Sequence, residues 1–160
     1  MNNEQKMNII NEAISLSKLL GDSNIKWAFV GGVAVGIHGY IRATEDIDII
    51  IEPKHLGKLD AILKDHGYII NNDSIDFKDG YMLFRRVKII GEEYFILDVL
   101  VPPENYVNIL KNRIEGLIDG IKVFVISKND LIRMKRQSGR KIDIIDIEEL
   151  EKKNGIQGDS

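Results

Sequence analysis

The sequence predicts an α/β (α+β) domain. Short apolar runs of strand length, bounded by glycine, proline or polar clusters, alternate with segments of helical spacing. Apolar residues make up 44% and charged residues 29% of the chain, enough for one core under a solvated surface. With 160 residues the chain fits one domain, expected over residues 1–153, with 154–160 as a flexible tail.

Taken in order, Met7, Ile10, Ala13, Ile14 and Leu19 recur at helical spacing, so residues 1–20 read as a helix that "GDSN" breaks. "KWAFV" reads as a strand ending at Gly31-Gly32. "VAVGIHGY" has three-to-four spacing but poor helix formers, so it reads as a short helix or tight turn. "DIDIIIE" is a strand, and Pro53 opens a helix that runs through Asp65 and closes at Gly67. "NNDSIDFKDG" reads as a polar loop. "YMLFRRVKII" and "EEYFILDVLV" form a hairpin about Gly91-Glu92, ended by Pro102-Pro103. "ENYVNILKN" reads as a helix and "IKVFVI" as a strand. Ser127 caps the helix "KNDLIRMKRQ" with Asp130 at its third position, Gly139 ends it, and "KIDIIDIEELEKK" is the last helix.

Composition narrows the setting. There are no cysteines, which excludes disulfides and thiolate chemistry and favours a reducing compartment. A net charge of −3 excludes neither an anionic nor a neutral partner. "MNNEQKMNII" lacks the layout of a signal peptide, and no apolar run approaches the ~20 residues that span a bilayer. The expectation is a cytoplasmic protein without a membrane partner.

Chemistry concentrates in two places. In a strand, residues two apart share a face, so Asp46 and Asp48 project together while Ile47, Ile49 and Ile51 face the other way. Adjacent carboxylates repel, and a divalent cation between them relieves the conflict; hard oxygen ligands suit Mg²⁺ or Mn²⁺. The alternative is a solvated strand edge with two ordinary acids. Asp98 stands inside the apolar run "YFILDVLV", where an unpaired acid is costly. A neighbouring strand brings it beside Asp46 and Asp48, and three carboxylates around cations serve phosphoryl and nucleotidyl transfer. The alternative for Asp98 is a buried partner for Arg85 or Arg86. Gly31-Gly32 marks a strand-to-helix junction, which either holds phosphate on backbone N–H groups or is a tight turn that needs glycine. Neither a P-loop nor G-x-G-x-x-G is present.

"VGG", 13 residues, then "DIDI" resembles the signature of the nucleotidyltransferase superfamily that includes DNA polymerase beta. Within it, "GGVAVGIHGYIRATEDIDI" and "SKNDLIRMKRQSGRKIDIIDIEEL" resemble the small group related to abortive-infection nucleotidyltransferase toxins. The resemblance spans Phe29 to Leu150 and implies the nucleotidyltransferase fold, a central mixed sheet flanked by helices. It implies that Gly31 and Gly32 cradle a triphosphate, and that Asp46, Asp48 and Asp98 are catalytic and hold two Mg²⁺ ions, Asp98 also accepting the hydroxyl proton. Gly32 stands where many members carry a phosphate-contacting serine, so that contact falls to backbone N–H groups.

Arg42 and Thr44 precede the acids and so belong near the phosphates; Arg42 either neutralises charge there or is an exposed loop arginine. Residues 128–141 carry six basic residues (Lys128, Arg133, Lys135, Arg136, Arg140, Lys141) against Asp130, either a wall for phosphates or a solvated helix face. Lys135 and Arg140 are the expected nucleotide contacts. Asp143 and Asp146, three apart on a helix, are expected to be structural, either orienting those cations or lying at the surface. His38, His55 and His66 show no metal-ligand spacing, and His38 is expected on a helix surface. The expected partners are a nucleoside triphosphate such as ATP, an acceptor that is a tRNA, a protein or a small molecule, and, for a toxin, an antitoxin protein. The competing readings are an antibiotic-type enzyme acting on a small molecule, and a non-catalytic nucleotide- or RNA-binding module on the same fold. Retention of all three acids favours the enzyme, and the acidic balance disfavours a primary role in binding nucleic acid.

Overall fold

The computed structural model describes the backbone of residues 2–106 and 108–159 and the side chains of residues 9–105 and 108–152. Helix α1 (Asn2–Gly21) leads into strand β1 (Trp27–Val30), helix α2 (Gly31–Ile37) and strand β2 (Asp46–Ile51). A 3-10 turn at Pro53–His55 precedes α3 (Leu56–Asp65) and the short strands β3 (Tyr68–Ile69) and β4 (Ile75–Asp76). The hairpin β5 (Met82–Ile90) and β6 (Glu93–Val101) follows, then a 3-10 turn at Glu104–Tyr106 and α4 (Asn108–Lys111). A second hairpin, β7 (Ile114–Ile118) and β8 (Ile121–Val125), leads to α5 (Lys128–Ser138) and α6 (Lys141–Asp159).

The strands form one mixed sheet in the order β3-β5-β6-β2-β1-β8-β7, with β4 also on β5. β2 runs antiparallel to β1 and parallel to β6; β1 runs parallel to β8. Ile47, Ile49, Ile51, Leu97 and Val99 are buried in the core, as strands covered on both faces require. On the face away from the aspartates, Asp60 of α3 takes Arg86 and Glu12 of α1 takes Lys88. The other face is covered by α5, whose Leu131, Met134 and Lys135 enclose a cavity with Asp48, Asp98 and Leu100. The Ser127 cap forms as expected: its hydroxyl accepts from the Asp130 N–H at 3.1 Å. Among the described residues no helix is long and apolar enough to cross a membrane.

Several elements depart from the sequence reading. β7 lies in a stretch to which the reading assigned no strand, because "IEGLI" is an edge strand with mostly exposed side chains and a glycine at its centre. The expected polar loop contains β4, whose two residues are both exposed. α2 begins on the two glycines rather than after them. The "ENYVNILKN" segment is a 3-10 turn and the four-residue α4, with residue 107 outside the described residues. The Met7 side chain and the tail at 154–160 fall outside the described side chains.

Arg86 is 1% exposed. Its Nε and Nη2 donate to Asp60 at 3.0 and 2.9 Å, and its Nη1 donates to the Asn71 carbonyl at 3.1 Å. Asp60→Ala strands that guanidinium with carbonyl partners only, so unfolding in urea is expected to lose about 3 kcal/mol of stability.

Candidate active site

The register of β2 and β6 builds the site. Parallel pairing sets Asp48 opposite Asp98, and antiparallel pairing adds Val30 on one side and Arg85 on the other. One row across four strands therefore reads Val30, Asp48, Asp98, Arg85. Side chains in a row share a face, and neighbouring strands lie about 4.8 Å apart, so the two carboxylates cannot avoid each other. Asp46, two residues earlier, shares that face. The structure thus brings together the three acids singled out in the sequence. Asp98 also pairs with Arg85, the alternative weighed for it, so both readings of its position hold at once.

The electrostatics follow. Burial, then the charges of Asp98 and Asp46, push the Asp48 carboxyl up to about 7. Burial and the Asp98 charge also raise Asp46, against the pull of Arg85. Arg85 Nε and Nη2 donate to the two Asp98 oxygens at 2.8 and 2.9 Å, and Nη2 stands 3.9 Å from Asp46 Oδ2.

The glycine turn closes against these acids. Gly31 has φ +64°, and a Cβ there would stand 2.8 Å from Asp48 Cγ and nearer still to Oδ2. A Cβ on Gly32 would meet Thr44 Oγ1 at 2.7 Å, with Arg42 Nη1 at 3.6 Å. Both glycines are therefore required by close approach, and Gly31 by its left-handed backbone as well. Thr44 donates its hydroxyl to the Asp46 carbonyl at 3.1 Å, which fixes the entry to β2.

The basic segment divides. Arg133 and Arg136 point to solvent and pair with Asp130 and Glu151, as on an ordinary helix face. Lys135 turns inward, only 6% exposed, and its Nζ lies 2.9 Å from Asp146 and 3.3 Å from Asp143. Arg140 joins Asp143 at 2.9 Å and lines the same cavity. Arg42 is not a free loop arginine: its Nε and Nη2 each donate to Asp146 at 2.8 Å. Burial would raise both acids, but bonds from Arg140 and the charge of Lys135 hold Asp143 down at about 2, and Arg42 and Lys135 hold Asp146 below its ordinary value. The structural role expected for Asp143 and Asp146 is what their fully buried position shows.

Arg42, Lys135 and Arg140 are thus linked through Asp146 and Asp143, and Lys135 and Arg140 share with Gly31, Asp48 and Asp98 a cavity of about 220 Å³ walled by Leu83, Leu100, Leu131 and Met134. Those apolar walls escaped the sequence reading, although Leu131, Met134 and Lys135 recur at three-to-four spacing and so share a helix face. A second cavity, of about 420 Å³, lies beyond Asp46 and is lined by Glu45, Glu92, Glu93, Tyr94 and Phe95. His38 departs from its expected place on a helix surface: its Nε2–H donates to the Ile126 carbonyl at 2.8 Å, tying the end of α2 to the end of β8.

The donor set suits a hard divalent cation in chemistry: three carboxylates on one face, two of them with raised affinity for protons through burial and the neighbouring carboxylate charges. In the present arrangement Arg85 supplies that positive charge. Among the described residues no three His, Cys, Asp or Glu side chains converge closely enough to hold an ion as they stand.

Residues 1–132 match the family described as uncharacterised nucleotidyltransferase. The chain belongs to this nucleotidyltransferase family. No curated protein matches it. Among solved structures, the nucleotidyltransferase resembles a Thermotoga maritima protein proposed to have the same activity, at 13% identity and TM-score 0.67, over 97% of this chain and 96% of that one. It also resembles the lincosamide antibiotic adenylyltransferase LnuA, solved with lincomycin, at 22% identity and TM-score 0.63, over 88% and 95%. A third likeness is to ANT(2")-Ia in complex with adenylyl-2"-tobramycin, at 17% identity and TM-score 0.67, over 94% and 92%. At these identities the likeness is one of fold: the central mixed sheet flanked by helices is the nucleotidyltransferase fold expected from the sequence. The narrower likeness to abortive-infection toxins is not among what these matches establish.

Two outcomes follow for the protein in EDTA. The folded-state value of Asp48 lies above its ordinary 3.8, so its stabilising contribution is complete below about 3.8 and is lost as pH rises through about 7. Asp48→Asn is therefore expected to raise the melting temperature at pH 8 by roughly 2–4 °C for each kcal/mol of repulsion removed, and to change it little at pH 4. Gly31→Ala is expected to cost about 1–3 kcal/mol in urea unfolding, from a left-handed alanine pressed against Asp48.

Proposed function

We propose that this protein is a metal-dependent nucleotidyltransferase that moves a nucleoside monophosphate from a nucleoside triphosphate to an acceptor hydroxyl. The observation that supports this most is the register Asp48↔Asp98 on the face that Gly31 closes. An Mg²⁺ or Mn²⁺ pair held by Asp46, Asp48 and Asp98 would neutralise phosphate charge and lower the pKa of the acceptor hydroxyl.

The chain's own residues supply the rest. Gly31 and Gly32 stand in the first turn of α2, where backbone N–H groups have no intrahelical partner and can meet phosphates, and Arg42, Lys135 and Arg140 place positive charge around them. Leu83, Leu100, Leu131 and Met134 give the nucleoside an apolar wall. In the transfer, the acceptor oxygen bonds to the α-phosphorus, the bond from that phosphorus to the pyrophosphate oxygen breaks, and Asp98 takes the hydroxyl proton. Lys135 and Arg140 face the charge that builds on the departing pyrophosphate.

The acceptor enters from the other side of Asp46. The second cavity carries Glu45, Glu92 and Glu93 around it, beside Tyr94 and Phe95. That rim repels the backbone of a tRNA and suits a small hydroxylated molecule that is neutral or positively charged. The small-molecule reading is therefore favoured over an RNA-modifying toxin, in keeping with the fold shared with LnuA and ANT(2")-Ia.

Incubation with each α-labelled nucleoside triphosphate and Mg²⁺, together with total RNA, lysate protein or a pool of hydroxylated amines, tests this reading. Label is expected in the amine pool, and in the Asp46→Ala Asp48→Ala protein transfer is expected to fall by about 10³-fold or more. Equal transfer by both proteins would remove the proposed chemistry. Transfer to RNA alone would overturn the choice of acceptor.

A further inference from the structure

Two adjacent arginines on β5 have opposite circumstances. Arg86 is fixed: it is 1% exposed, forks onto Asp60 and donates to two carbonyls, those of Asn71 and Arg85. Arg85, on the opposite face, has a side chain 53% exposed, and its bonds among the described residues go to Asp98 alone. Asp98, by contrast, is buried, its side chain 8% exposed. The guanidinium thus covers the outer side of a buried carboxylate and reaches to 3.9 Å from Asp46. It engages one of the three acids and flanks a second, while its stem stands in water and can turn away.

A carboxylate offers about four lone-pair sites, and a forked guanidinium takes the two that lie between the oxygens and the donor. A divalent ion seeking Asp98 and Asp46 together meets Arg85 first. We propose that Arg85 is a displaceable internal counter-ion of the nucleotidyltransferase site: it neutralises Asp98 and Asp46 in the ion-free protein and must swing off Asp98 before a divalent cation binds there. This rests on the metal-dependent reading above. The pair can exchange, because the guanidinium stands half in water and is rehydrated as it leaves Asp98, while the arriving cation takes over the buried carboxylate. It is strong enough to keep the acids from repelling one another until a doubly charged ion replaces it. A fixed structural pair would look like Arg86 with Asp60, with the guanidinium buried and all three of its nitrogens bonded.

The test is Mn²⁺ binding to the whole protein without nucleotide, read from the loss of the free-ion signal in electron paramagnetic resonance. Arg85→Gln is expected to bind Mn²⁺ about tenfold more tightly than wild type. Arg85→Lys keeps the charge but not the fork, so it is expected to bind about threefold more tightly. An Arg85→Gln protein that binds no more tightly than wild type overturns the proposal. So does an Arg85→Lys protein indistinguishable from wild type, since Arg85 would then act only through distant charge. Asp46→Asn Asp48→Asn separates the two levels. If wild-type binding falls in that variant while Arg85→Gln changes nothing, the counter-ion role alone fails. If binding is the same in wild type, Arg85→Gln and Asp46→Asn Asp48→Asn, the metal-dependent reading fails with it.

Discussion

The parallel pairing of β2 with β6 is the constraint from which the rest of the site follows. Once Ile47 meets Leu97 and Ile49 meets Val99 in the core, the residues between them have no freedom: Asp48 and Asp98 must stand side by side on the opposite face. A slip of β2 by one residue would turn Asp46 and Asp48 into the core and its isoleucines outward, so the same apolar pattern that specifies the register also specifies the conflict of charge. Gly31 answers the steric side of that conflict, because the Asp48 carboxylate fills the space a Cβ would need. Arg85 answers the electrostatic side from the next strand.

A second network holds the opposite wall. Buried ion pairs are weak evidence for stability, since desolvation offsets much of the attraction, but each broken partner leaves a costly orphan. Lys135, Asp143 and Asp146 are all buried, with Arg42 and Arg140 reaching in from more exposed positions. The geometry that results is specific: the loop before β2 is bound to α6 through Arg42, and α5 is bound to α6 through Lys135. A neutral core of equal volume would hold these elements as well but would leave no cation facing the cavity beside Asp48.

How much of this was legible in the sequence depended on whether a residue broke the local pattern. Asp46, Asp48 and Asp98 stood out because each interrupts a β-branched or aliphatic run, and a carboxylate in such a run needs a reason. The hairpin of β5 and β6 was legible from two long apolar runs about Gly91, and the strand pairing that unites the acids was then a short step. β3, β4 and β7 were not, because two-residue strands and an exposed edge with Gly116 carry little periodicity. The fate of Arg42 was hidden for another reason. Its partner Asp146 lies 104 residues away, and no local rule distinguishes a loop arginine that will find a buried acid from one that will not. For Arg85 the sequence offered the right partner but framed it as an alternative to the acid cluster, whereas in three dimensions the pair is part of that cluster.

The family match ends at residue 132, before Lys135, Arg140, Asp143 and Asp146. Those four residues could then be taken as an appendage to a complete catalytic unit. The bonding argues otherwise. Arg42 lies inside the matched region, between the glycine turn and the Asp-x-Asp strand, and both of its forked donors end on Asp146. Asp146 in turn holds Lys135, whose neighbours on the cavity wall are Leu131 and Met134, one on each side of the boundary. Removing the last helix would leave the loop that leads into β2 without its anchor and leave Lys135 without the two acids that pair with it in a buried place. The end of α5 and the whole of α6 are therefore a structural part of the same cavity, and the network of Arg42, Asp146 and Lys135 exists only when they are present.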